Sequence, residues 1–167
     1  TPDLMPMAKG LSSGYLPIGG VLVSDKVAGV IEDTGEFNHG FTYSAHPVCA
    51  AAAIANLKIL REEKLVERVR DDIGPYLRER WLKLGDHPLV GEARMTGLMG
   101  ALELVPAKPS HRRFAGDGSI GLRCREHSFR NGLVMRHVHD SMVIAPPVVL
   151  SHEEADELIR LATLTLD

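Results

Sequence analysis

At 167 residues the chain has room for one domain or two small lobes. Its composition, 44% hydrophobic and 25% charged, is ordinary for a globular protein in water, and a formal net charge of -3 gives no basic footprint, which sets nucleic acid aside as the main partner. No stretch approaches the roughly 18 uninterrupted apolar residues of a membrane span, and no charged segment leads into an apolar run as in a signal peptide.

From the N-terminus, Thr1-Pro2-Asp3 runs straight into a short apolar strand ending near Lys9, with no initiator Met and no earlier element to pair with it. An isolated buried strand needs neighbours, so the chain reads as the later part of a longer protein. Residues 20–24 (Gly-Val-Leu-Val-Ser) read as a second short buried strand. Asp25 is placed to cap a short helix through Val30 and Ile31. Residues 33–46, rich in Gly, His and aromatics and without a period, read as a loop. Pro47 suits the first turn of a helix that the Ala-rich run 50–60 continues, with Ile54, Leu57 and Leu60 on one side. Leu65, Val66, Val69, Ile73, Leu77 and Trp81 then recur at helical spacing until Gly85, and Gly74-Pro75 predicts a break inside that segment.

Beyond His87-Pro88, residues 97–105 read as a strand and 106–119 as a polar surface loop. Residues 120–131 predict a helix that Asn131-Gly132 closes, with Gly132 at the left-handed cap position. Residues 133–136 and 142–145 read as two strands of a hairpin around 138–141. Ser151 to Glu154 is a capping-box pattern, opening a last helix with Ala155, Leu158, Ile159, Leu161 and Ala162 on its apolar side. The plan is α/β followed by α+β, joined by a long helical stretch near 60–85, with no internal repeat. Cys49 and Cys124 lie far apart in no CxxC or zinc spacing, which points to a reduced, cytoplasmic setting.

Several residues stand out chemically. Lys9 closes the first apolar run and is followed by Gly10, Leu11, Ser12, Ser13 and Gly14. A lysine pushed from a strand end into a Gly/Ser-rich pocket loses solvation, which favours the neutral, nucleophilic amine. By residue type alone it reads first as a solvated surface lysine. Thr42 sits in the loop ahead of the Pro47 helix, where a hydroxyl and loop amides can take an anion, or where the side chain simply bonds to nearby backbone. Arg136 follows Leu133-Val134-Met135, and its guanidinium fork suits a carboxylate; the alternative is a surface arginine on an edge hairpin. Tyr15 reads as packing, or as part of a substrate channel. Arg94 reads as an ion-pair partner, and Glu103 as solvent-facing or locally paired. His137, His139 and Asp140 spell HxHD, and strand alternation would put both imidazoles on one face as a zinc site needs. No second cluster of ligand spacing accompanies them, so no metal is assigned. A phosphate-loop reading fails because Lys9 precedes its glycines.

Four segments in order carry a resemblance: Ala-Lys-Gly-Leu-Ser-Ser-Gly-Tyr-Leu-Pro (8–17), His-Gly-Phe-Thr-Tyr-Ser-Ala-His-Pro-Val (39–48), Gly-Leu-Met-Gly-Ala-Leu-Glu-Leu (97–104) and Ala-Pro-Pro-Val-Val-Leu-Ser (145–151). The chain resembles the later half of the class III (ω-type) aminotransferases, pyridoxal 5'-phosphate (PLP) enzymes of fold type I, and looks most like their putrescine and β-alanine members. The resemblance implies an α/β fold class, with 1–63 the end of the large PLP-binding domain and 64–167 an α+β C-terminal small domain. It implies that Lys9 forms the Schiff base with PLP and moves the substrate proton. Thr42 would bind the phosphate belonging to the other subunit's site, which makes the protein a homodimer with shared active sites. Arg136 would meet a substrate carboxylate and swing away when the amino donor lacks one, with Tyr15 a further substrate-side candidate. The implied reaction moves an amino group from a primary amine or ω-amino acid to a keto acid such as pyruvate. This chain has His139 where the family's Arg-x-x-Gly-Asp turn places glycine, which leaves the geometry of that turn open.

In the family, the Gly/Ser helix start that takes the phosphate, the aromatic on the ring and the aspartate on its nitrogen all lie upstream of the lysine. The resemblance therefore implies an incomplete site, with little or no turnover by this chain alone. The competing readings are an aminomutase or decarboxylase of the same fold, and a non-catalytic folding or dimerisation fragment.

Overall fold

The computed structural model describes residues 1–108, 114–116 and 118–167, so the expected surface loop 106–119 falls partly outside the described residues. The chain divides into two compact units, Thr1–Lys64 and Leu65–Asp167. Among the described residues no helix is long and apolar enough to cross a membrane.

In the first unit, β1 (Leu4–Met7) pairs antiparallel with β2 (Gly20–Val23), Leu4 opposite Val23 and Met7 opposite Gly20. Both strands were expected to be buried, and they are not: every residue of β2 and all of β1 but Met7 are exposed. Among the described residues each pairs only with the other, and a two-stranded ribbon cannot cover its own faces. Helix α1 (Asp25–Thr34) takes in the residue expected to cap it, because the cap is Ser24, which is extended and whose hydroxyl donates to the Asp3 carboxylate at 2.9 Å. It also runs past Ile31, to Gly35 at φ 92. Helix α2 (Pro47–Glu62) has Pro47 in its first turn, as its sequence predicts, and His46 Nδ1 accepts from Val48 N at 3.3 Å. Ala53 is its one buried residue, while Ile54 and Leu57 are exposed.

The second unit opens with α3 (Leu65–Arg68), a π-helical turn (Val69–Ile73) and α4 (Gly74–Lys83), followed by a 3₁₀ turn (Leu84–Asp86). The π turn is the break that Gly74-Pro75 predicts. Pro75 has no N–H to give, and its ring would press on the carbonyl one turn earlier. The chain widens instead, and Gly74 N donates to Val69 O, five residues back. Glycine is needed at 74 because a Cβ there would run into the same Val69 carbonyl.

A four-stranded antiparallel sheet follows, built from β3 (Val90–Thr96), β4 (Met99–Leu104), β5 (Arg136–Val138) and β6 (Ser141–Ile144) in the order β3-β4-β6-β5. The expected strand 97–105 starts later, at Met99, because Gly97 (φ 56) turns the chain out of β3. The expected strand 133–136 is displaced to Arg136–Val138. Leu133 and Met135 are buried against the core while Val134 is left 80% exposed, so the apolar run serves packing and the ladder begins beyond it. Helix α5 (Ser119–Arg130) ends at Asn131, and Gly132 takes φ 85. Helix α6 (His152–Leu166) carries the full capping box: Ser151 Oγ accepts from Glu154 N at 3.1 Å and Ser151 N donates to Glu154 Oε2 at 2.8 Å.

The core of this unit joins Ile73, Leu77 and Trp81 to Val90, Met95, Leu102 and Leu104 of the sheet, Met142 and Ile144 of β6, and Ala155, Leu158 and Ala162 of α6. Each large side chain so buried contributes roughly 1.5–3 kcal/mol relative to exposure. Arg136 rides the edge strand of this well-filled body.

Candidate active site

Lys9 is placed by backbone. Ala8 is extended, then Lys9 turns to φ 47 and starts a 3₁₀ turn (Lys9–Leu11). A non-glycine residue in this left-handed region costs about 1–2 kcal/mol and persists only where its surroundings fix it. Leu11 N donates to Ala8 O at 3.2 Å and Ser12 N to Lys9 O at 3.3 Å. Asn56 of α2 reaches back to the turn, donating to Gly10 O at 2.8 Å and Leu11 O at 3.0 Å, and its Oδ1 accepts from Ser13 Oγ at 2.7 Å. Ser12, 2% exposed, donates its hydroxyl to Leu16 O.

The expected burial of Lys9 in a Gly/Ser pocket is not found: Lys9 is exposed, as are Gly10, Ser13 and Gly14. The serine hydroxyls tie the loop together instead of lining a recess. Tyr15 is 84% exposed, so the packing reading for it fails. Asn56 escapes the sequence reading, although a lone amide inside an Ala-rich helix is the signal that could have found it.

Thr42 lies in the same unit, exposed, at the start of a turn over residues 42–45 that feeds directly into α2. The turn is closed by Ser44 N donating to Phe41 O at 2.9 Å and Phe41 N donating to Ser44 Oγ at 3.0 Å, with Ala45 at φ 57. Beside it is a groove of about 990 Å³ lined by Pro17, Ile18, Phe41, Tyr43 and Cys49 among others; neither Lys9 nor Thr42 is in its wall.

Arg136 belongs to the second unit. It is the exposed first residue of β5, paired with Val143. The turn that follows keeps a left-handed residue without glycine, since His139 takes φ 52. The expected pairing of His137 and His139 on one strand face is therefore not found: His137 is in the strand, His139 is in the turn, and His137 Nδ1 lies 3.4 Å from His139 O. Among the described residues no three His, Cys, Asp or Glu gather as metal ligands.

Asp140, next in the turn, accepts from Gly121 N at 3.0 Å, which caps α5 from outside; the helix has no side-chain cap of its own behind Gly118. Arg94 pairs with Glu92 at 3.1 Å and Glu103 at 3.4 Å, which gives both Arg94 and Glu103 local partners. Both cysteines are free, and burial pushes the Cys124 thiol up to about 11.

Lys9 on its turn after a strand, Thr42 in the loop ahead of α2 and Arg136 in the separate second unit are the residues that the class III resemblance singles out. The family description "Aminotransferase class-III" matches residues 1–165, and the chain belongs to that family. It is 57% identical over 166 residues to a putrescine–pyruvate aminotransferase of Pseudomonas aeruginosa, covering 99% of this chain and 36% of that protein. It is 42% identical over 164 residues to gamma aminobutyrate transaminase 1 of Solanum lycopersicum, covering 96% and 32%. An (S)-enantioselective omega-transaminase of known structure from Thermomicrobium roseum superposes with a TM-score of 0.93 at 40% identity, over 99% of this chain and 37% of that one. The fold is thus part of a fold type I transferase of mixed helix and sheet. The chain spans about a third of the length of the curated relatives it matches.

Proposed function

We propose that this chain is part of a PLP-dependent transaminase that moves an amino group from a primary amine or ω-amino acid to a keto acid such as pyruvate. In this reading residues 1–63 are the end of the cofactor-binding domain and 64–167 the small C-terminal domain. The observation that carries it is Lys9: an amine on a left-handed, hydrogen-bonded turn at a strand end, in a chain of this family. The 57% identity to a protein named for putrescine and pyruvate favours those substrates.

The donor set suits PLP at two of its ends. The Lys9 amine suits its aldehyde, and the Thr42 hydroxyl with the turn amides ahead of α2 suits a phosphate. When bound, PLP supplies a carbon that captures amines covalently and a ring that withdraws electrons. Lys9 holds the cofactor and carries the proton to and from the substrate carbon, and its fixed backbone returns the amine to one place after each transfer. Thr42 takes the phosphate of the partner subunit's site, so the protein works as a homodimer, and its two free cysteines fit a reduced, cytoplasmic setting. Arg136 orients a substrate carboxylate, and Tyr15 presents an aromatic face to the substrate side.

The test is the full-length protein loaded with PLP. Lys9→Ala is expected to abolish both transaminase turnover and the visible absorbance of the lysine-linked cofactor. Full activity in Lys9→Ala would contradict the reading.

A further inference from the structure

Arg136 stands on a strand of three residues at the edge of the sheet, and among the described residues that strand is bonded only to β6. Among the described residues no carboxylate pairs with its guanidinium, so what the fold fixes is the backbone from which the side chain starts. That backbone is anchored at the adjoining turn. Asp140 O accepts from Leu104 N at 3.0 Å, which ties the turn to β4. Asp140 Oδ1 accepts from Gly121 N at 3.0 Å, which ties it to the start of α5. The two backbones meet closely: a Cβ on Gly118 would come within 2.7 Å of His139 Cα, and a Cβ on Gly121 would run into His139 O. Helix α5 has no side-chain cap of its own, and the turn holds a non-glycine residue at φ 52. Each completes the other: the helix gains an acceptor at its positive end, and the turn gains a fixed seat.

We infer that Asp140 is a positioning residue for Arg136, acting through the Gly118–Gly121 seat to hold the edge strand and so to set how well the enzyme binds carboxylate-bearing substrates. This rests on the reading of Arg136 as the carboxylate-binding residue.

The experiment compares two acceptors in the full-length, PLP-loaded enzyme: pyruvate, and propanal, which lacks the carboxylate. Asp140→Ala is expected to raise the KM for pyruvate about tenfold, with kcat and the KM for propanal changed less than about threefold. Asp140→Asn, which keeps a capping oxygen, should restore the pyruvate KM. Parallel changes for both acceptors, no change for either, or no rescue by Asn would overturn the positioning role. Arg136→Gln separates the two claims. If Arg136→Gln leaves the pyruvate KM unchanged, the carboxylate reading of Arg136 falls, and this inference falls with it. If Arg136→Gln raises the pyruvate KM while Asp140→Ala does not, only the positioning role falls.

Discussion

The indole of Trp81 lies against the bare Cα of Gly100: a Cβ at that position would come within 2.9 Å of the indole Cε2 and Nε1. Trp81 is fully buried, and its N–H donates to Ala101 O at 3.4 Å. Helix α4 closes on β4 only because position 100 has no side chain. Gly100→Ala is expected to cost about 1–3 kcal/mol by overpacking. Thermal melting should register it as a drop of roughly 4–8 °C per kcal/mol in a unit of this size. An unchanged melting temperature would show that Trp81 can move away freely.

Ser151 and Glu154 satisfy one another's backbone at the start of α6. Ser151→Ala should destabilise the second unit by about 1 kcal/mol, since it leaves a helix-start N–H without its acceptor. Ser151→Asp should recover most of the loss. Chemical denaturation of the three proteins measures this, with Ala and Asp variants of equal stability as the contrary result.

His139 occupies a position that glycine tolerates without strain. Replacing it relieves about 1–2 kcal/mol of left-handed strain and gives back about 0.4–1 kcal/mol through the freer unfolded chain. His139→Gly should therefore stabilise slightly, and His139→Val should destabilise, because a β-branched residue resists this conformation more strongly. Denaturation midpoints of the two variants on either side of the parent check the ordering.

Burial raises the Cys124 thiol from 9.0 to about 11, so it is protonated and poorly reactive in the folded protein at pH 8. Iodoacetamide at that pH should label Cys124 slowly until denaturant is added. A raised thiol value leaves stability intact below pH 9 and lowers it as pH climbs toward 11. At the acid end, Glu153 is held below the usual carboxylate range, first by a backbone N–H at the start of α6 and then by the Ser151 hydroxyl. Its contribution is present at neutral pH and is lost as pH falls through that lowered value. Rapid native labelling of Cys124 would contradict the burial.

Local chemistry is readable in the sequence wherever one hydrogen-bond pattern decides the outcome. The Ser151–Glu154 box, Pro47 in the first turn of α2, Gly132 as a left-handed stop and the break before Pro75 all follow from residues within one turn of each other. Strand β3 was missed because it carries a bulge between Val90 and Glu92. The extra residue, Gly91, breaks the alternation that marks a strand. Leu133-Val134-Met135 suggested a strand because apolar runs do so, yet two of the three side chains serve the core. The candidate site divides in the same way. Lys9, Thr42 and Arg136 announce themselves by motif, but Asn56 and Asp140 act across 46 and 19 residues of chain, and no local pattern reveals a partner at that distance. The exposure of Lys9 was likewise hidden, since burial depends on what covers a strand and not on the strand itself.

The central claim is that Lys9 is the residue joined to PLP. The direct measurement is borohydride reduction of the full-length, PLP-loaded protein, followed by peptide mapping by mass spectrometry. A single reduced pyridoxyl adduct on Lys9 is the expected result. An adduct on another lysine, or none on Lys9 in a protein that retains its cofactor, would contradict the account.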